Sequence, residues 1–150
     1  MKAQQRRYLV VGPAWVGDMV MAQSLFMALR GQHPACTIDV LAPAWSEPLL
    51  ERMPEVRRAV SLPAGHGELK LGVRYQTGRA LRAEAYTHGI ILPRSLKAAL
   101  VPWFARIPVR TGYRGEMRYG LINDMRPLER NVLTQTVQRF VALGIQTCRR

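Results

Sequence analysis

The chain has 150 residues, 48% of them hydrophobic, with 22 Lys plus Arg against 10 Asp plus Glu, a net charge of +12. That length suits one domain with a real core and is short for two. No apolar run approaches the ~20 residues of a membrane span, and Cys36 and Cys148 are isolated thiols that suggest neither a zinc pair nor a disulfide framework.

The polar start MKAQQRR lacks the apolar stretch of a secretory signal, so a cytoplasmic protein is expected. Lys2, Lys70 and Lys97 are the lysines, so 22 − 3 leaves 19 arginines. Arginine's planar fork suits bidentate contacts to phosphate and carboxylate. A polyanion is the expected partner: nucleic acid, an anionic lipid surface or a phosphorylated substrate.

In chain order, Tyr8-Leu9-Val10-Val11 reads as a buried strand stopped by Gly12-Pro13. A helix follows from about Asp18 to Gly31 or Gln32, with Ala22, Leu25, Phe26 and Leu29 on one face. Cys36 to Leu41 is the second strand, expected parallel to the first through a right-handed crossover. A short helical piece after Ala42 turns Leu49, Leu50 and Met53 inward, and Val56 to Leu62 carries a third strand. Gly65-His66-Gly67 is a loop before a helix from about Glu68 to Ala85. Its core side is expected to hold Leu69, Val73, Ala80 and Leu81, with Lys70, Arg74 and Arg82 as a solvated stripe. His88 to Leu92 is a further strand, after which Ser95 is placed to cap a helix carrying Leu96, Ala99, Leu100 and Phe104. Val109 to Thr111 is short, GYRGEMRYGLIND is a Gly-punctuated loop, and a last helix spans about Thr134 to Gly144. Alternating strands and helices predict a single Rossmann-like, doubly wound α/β domain.

In such a sheet, ligands bind at the carboxyl ends of the strands, beside helix N-termini. Asp18 is the only carboxylate before Asp39 and falls at that edge. On the residues alone an Asp at a helix start is more often an N-cap. The alternative is a general base acting on an acceptor hydroxyl. Trp15 is either a stacking wall or core. Arg94, Lys97, Arg110, Arg114 and Arg118 are expected at or after the carboxyl ends of later strands, making an anion-binding cleft around Asp18. The loop GPAWVGD lacks the second glycine of a GxGxxG fingerprint, and no P-loop pattern occurs, so a bound nicotinamide, flavin or other cofactor is not expected. A nucleic-acid-binding module is the rival reading of the charge, although no helix-turn-helix, RNP or zinc pattern supports it.

The segments VVGPAWVGDMVMAQSL, IDVLAPAW, RMPEV, GHGEL, LP-S-K-ALVP, IPVRTGYRGEMRYGLIND and VQRFVALG together resemble the ADP-heptose:lipopolysaccharide heptosyltransferases. The resemblance implies the N-terminal, acceptor-binding half of a GT-B glycosyltransferase, inverting and metal-independent. It implies heptose transfer from an ADP-heptose donor to the first heptose of the lipopolysaccharide inner core, on heptosyl-Kdo2-lipid A, at the inner face of the inner membrane. By matching, Asp18 is the base of the family's GD motif. The same matching implies Lys97, Arg110, Arg114 and Arg118 as acceptor contacts, with His66 a further candidate, and Trp15 and Ser95 are expected beside them. Arg94 stands where related sequences carry Asn. Family members continue into a donor-binding domain that residues 1–150 do not supply, so little or no turnover by this chain alone is expected.

Overall fold

The computed structural model describes residues 5–62, 70–113, 120–126 and 135–144. Among them six strands form one sheet: β1 (Arg7–Val11), β2 (Thr37–Ala42), β3 (Arg58–Ser61), β4 (His88–Ile91), β5 (Val109–Tyr113) and β6 (Asp124–Arg126). Their order is β3-β2-β1-β4-β5-β6, and every neighbouring pair is parallel. The helices are α1 (Val16–Gln32), α2 (Glu47–Glu51), α3 (Leu71–Leu81), α4 (Leu100–Phe104) and α5 (Thr136–Gly144), with short 3-10 turns before α2, after α3 and before α4. The chain builds outward from β1 to β3, then crosses back to lay β4 on the other side of β1. The order therefore reverses between β1 and β4, the place where such sheets open a crevice.

Both faces of the sheet are covered, which explains why β1 reads as an apolar run from Tyr8 to Val11 and why β2 and β4 are largely buried too. Along β1 the side chains alternate. Tyr8 and Val10 enter a core with Leu25, Phe26 and Leu29 of α1 and Phe140 and Leu143 of α5. Leu9 and Val11 enter a second core with Leu81, Ala99, Val101 and Ile107. The predicted inward face of α1 is the observed one, with Met19 added to it.

Two helices depart from expectation. α1 begins two residues earlier than predicted, with Trp15 in the N-cap position and no side-chain hydrogen bond closing it. In α3 the buried residues are Arg74, Gly78 and Leu81, while Ala80 is exposed and Val73 only half-buried. Gly78 is the reason. A Cβ there would stand 2.5 Å from the Phe104 Cβ and 3.0 Å from the Val101 carbonyl oxygen, so the bare backbone lets α3 press against α4. Arg74 is drawn under that contact, and its guanidinium donates to the Lys97 carbonyl at 3.2 Å. The stripe predicted to be solvated is thus split: Lys70 is exposed, Arg74 buried, and Arg82 half-buried with its Nε donating to the Phe104 carbonyl at 2.8 Å. β6 was not expected at all; its three residues, Asp124-Met125-Arg126, carry no apolar run to announce them.

Candidate functional site

The carboxyl ends of β1 and β4 lie side by side. Val11 is in register with Ile91, the Leu92 amide donates to the Val11 carbonyl at 3.1 Å, and the Gly12 amide donates to the Leu41 carbonyl of β2 at 2.9 Å. Two loops leave this point together, residues 12–15 into α1 and residues 92–96 into the turn before α4. Gly12 lets the loop pass close over the core. A Cβ on it would meet the Met19 Cε at 2.7 Å, and Met19 is fully buried beneath the loop.

Asp18 occupies the third position of α1, in its first turn, and is half-buried. The N-cap reading is therefore corrected, because the cap position is Trp15. No described residue gives the Asp18 carboxylate a hydrogen bond or an ion pair. A carboxylate in the first turn complements the positive end of the helix, and its oxygens remain available to a hydroxyl entering from the sheet edge. Trp15 precedes it, 64% exposed, at the rim rather than in the core.

Across the switch point, Ser95 and Lys97 are both half-buried. Ser95 is not the cap that was expected: the turn Lys97–Ala99 has Leu96 in the N-cap position and no side-chain cap. The Arg74 bond to the Lys97 carbonyl ties this turn to α3. Sequence reading missed that positioning role, and Gly78 one turn later, a helical glycine in a packed face, is the signal that marks a close approach. Burial lowers the Arg74 pKa from its ordinary value.

Arg110 is a correction. It lies near the amino end of β5, opposite Gly89, and so on the far edge of the sheet from Asp18. Its Nε donates to the Leu121 carbonyl at 2.6 Å and its Nη1 to the Ile107 carbonyl at 2.7 Å, while its amide is held by Asn123 Oδ1. Those bonds hold the segment ahead of β6 against β5. A strand ending at Thr111 would put Arg110 next to its carboxyl end, whereas β5 runs on to Tyr113 and leaves Arg110 near its start. His66, Arg114 and Arg118 lie outside the described residues; Trp15 and Asp18 follow the carboxyl end of β1, and Ser95 and Lys97 follow that of the neighbouring β4.

The opposite, amino edge is occupied by a different charged cluster. Asp39 of β2 is completely buried. It accepts from Arg57 through Nε at 2.9 Å and through Nη2, from Arg58 Nε at 3.4 Å and from the Tyr86 hydroxyl. Glu84 joins Arg57, Arg58 and Arg7 to the same group. Asp39, Glu84 and the Tyr86 hydroxyl are each partnered within it, although the Arg7 Nε is buried without a hydrogen bond among the described residues, and this pairing of buried charge makes the cluster structural.

The model of glycosyltransferase family 9 (heptosyltransferase) matches residues 74–148, half of the chain. The chain is 53% identical over 138 residues to the lipopolysaccharide heptosyltransferase 2 of Salmonella typhimurium, covering 92% of this chain and 40% of that protein. It is 51% identical over 138 residues to the lipooligosaccharide heptosyltransferase 2 of Haemophilus influenzae, covering 92% and 39%. Among solved structures, the E. coli ADP-heptose lipopolysaccharide heptosyltransferase II superposes with a TM-score of 0.86 at 49% identity, over 93% of this chain and 40% of that one. The chain thus spans about two-fifths of the length of the relatives it matches. With a family model over half its length, this doubly wound α/β chain belongs to glycosyltransferase family 9, the heptosyltransferases.

Proposed function

We propose that residues 1–150 form the acceptor-binding domain of an enzyme that transfers heptose from ADP-heptose to the first heptose of heptosyl-Kdo2-lipid A. The acceptor hydroxyl oxygen attacks the anomeric carbon, the bond from that carbon to the ADP oxygen breaks, ADP leaves, and the hydroxyl proton passes to Asp18. One displacement of this kind inverts the anomeric centre. The observation that carries the reading is the half-buried Asp18 carboxylate, unengaged by any described residue, at the crevice between β1 and β4. Lys97 and Ser95 face the anionic acceptor from the neighbouring loop, and Trp15 walls the rim. The donor's ADP is held by a second domain, as the relatives' greater length supports.

The polyanion implied by the +12 charge is then the phosphorylated lipid acceptor and the membrane that holds it, rather than nucleic acid. Among the described residues no helix is long and apolar enough to cross a membrane; the attachment proposed is peripheral, at the cytoplasmic face, drawn by the basic charge to anionic lipid.

The test is heptose transfer by three samples: the chain alone, the chain joined to a donor domain from a family member, and that hybrid with Asp18→Asn. Transfer by the unmutated hybrid and a loss of about 10²–10⁴-fold in kcat on substitution are expected. A mutant hybrid at full rate would remove Asp18 from the mechanism. Turnover by the lone chain would show that it needs no second domain.

A further inference from the structure

Large hydrophobic side chains stand exposed on α3 and α4. Leu71 and Tyr75 are 52% and 42% exposed, four residues apart on the face of α3 that carries buried Arg74 and Gly78, at the margin of its contact with α4. Tyr75 packs edge-on against Phe104 with ring centroids 5.3 Å apart, and Trp103, 46% exposed, lies 5.2 Å from the same ring. Leu71, Tyr75, Phe104 and Trp103 therefore make one continuous apolar ridge across two helices. Arg79, one further turn along α3, and Arg106, just past α4, are exposed beside it.

From Lys70 to Arg110 the sequence holds eight Lys and Arg residues and a single acid, Glu84. Glu84 is consumed by Arg7, Arg57 and Arg58 at the amino edge. Among the described residues the charge on α3 and α4 is thus basic.

We infer that this ridge is the surface by which the chain lies on an anionic lipid bilayer, with Tyr75 and Trp103 at headgroup depth and Arg79 and Arg106 on lipid phosphates. The inference rests on the peripheral attachment proposed above and assigns it a face. Aromatic rings amphipathic enough to sit between water and acyl chains, ringed by long basic side chains, suit that interface. The ridge also adjoins the crevice. α3 starts on the carboxyl edge, and the Arg74 bond to Lys97 joins it to the candidate acceptor loop. A lipid-borne acceptor would then rise from the membrane into the site beside the surface that holds the protein down.

Trp15, Trp45 and Trp103 are the three tryptophans, so the variant Trp15→Phe with Trp45→Phe reports on Trp103 alone. Mixed with vesicles containing phosphatidylglycerol, its emission should shift to the blue and be quenched by brominated acyl chains, with no such change on phosphatidylcholine vesicles. Tyr75→Ser with Trp103→Ser should lower partitioning by about tenfold or more. Arg79→Glu with Arg106→Glu should lower it about fivefold per charge at low salt. These exposed basic positions carry the test if the aromatic pair weakens folding, which melting curves would reveal. If the wild-type chain floats with anionic vesicles while Trp103 stays unquenched and the variants float equally, another face is used and the inference fails alone. If the wild-type chain does not bind, the attachment itself is wrong. A concentration-dependent dimer that shields Trp103 without lipid would assign the ridge to a second copy and overturn the inference too.

Discussion

Asp39 and Asp18 are the first two carboxylates of the chain, and their surroundings divide structure from chemistry. Burial, the largest influence on Asp39, pushes its pKa up. Hydrogen bonds from Arg57 and Tyr86 and the charges of Arg57 and Arg58 more than offset this, leaving it below the ordinary 3.8. A depressed carboxylate stabilises the fold above its unfolded value, and that contribution disappears as the pH falls through the lower folded value. Asp39→Asn would turn an amide donor toward guanidinium donors and leave the Tyr86 hydroxyl without its charged acceptor. Breaking a buried pair costs about 3–5 kcal/mol. The lower end is expected, because the Arg57 and Arg58 side chains are 38% and 46% exposed and can turn to water. Urea unfolding at pH 7 should show a loss of about 3 kcal/mol, shrinking as the pH is taken below 3.8. A pH-independent difference would mean that packing, not charge, was removed. Tyr86 marks the other end of the scale. Burial and Asp39 raise its pKa to about 12, so its contribution is complete below 10 and lost as the pH rises toward 12.

Two glycines show how differently helices can meet. An added methyl at Gly78 would strike the Phe104 Cβ at 2.5 Å and the backbone of α4 at 3.0–3.1 Å, none of which can swing aside. At Gly144 the nearest atoms are the tips of Leu25 and Leu29 at 2.6 and 3.2 Å, and side-chain tips can rotate. Gly78→Ala is expected to destabilise by about 1–2 kcal/mol, overpacking outweighing the gain of up to ~1 kcal/mol in helix propensity. Gly144→Ala should stay within about 0.5 kcal/mol of neutral, since side-chain repacking is cheap. Thermal unfolding of the pair decides it, and equal losses would show that α5 is as tightly wedged on α1 as α3 is on α4. The same packing explains what could be read from the chain beforehand. β1, β2, β4 and the inner face of α1 were legible because each buries a largely apolar set against the two cores. The face of α3 was not, since Arg74 and Gly78 look polar or neutral in sequence and become interior only when α4 arrives. β6 was hidden because its residues pair through backbone bonds with β5, which no side-chain pattern predicts. The position of Asp18, Ser95 and Lys97 after β1 and β4, though not a role for them, was legible in the sequence. Arg110 was misplaced by the two extra residues that carry β5 to Tyr113.

At the scale of the whole molecule the +12 charge acts on stability as well as on partners. Like charges at this excess repel one another in the compact state and less so in an expanded chain. Added salt screens that repulsion over a Debye length that falls from about 30 Å at 0.01 M to about 8 Å at 0.15 M. It also screens the ion pairs, but those around Asp39 converge on a fully buried carboxylate and are screened much less. The repulsive part should therefore be removed first. The unfolding temperature is expected to rise as sodium chloride increases over this range, while association with a polyanion such as RNA falls steeply and without sequence preference, as counterion release requires. Both are read from one salt series, by thermal melts and filter binding. A melting temperature that falls with salt would mean that surface ion pairs outweigh the net repulsion. Tight, sequence-selective RNA binding that survives physiological salt would restore nucleic acid as the partner and displace the membrane-held acceptor from the account of this charge.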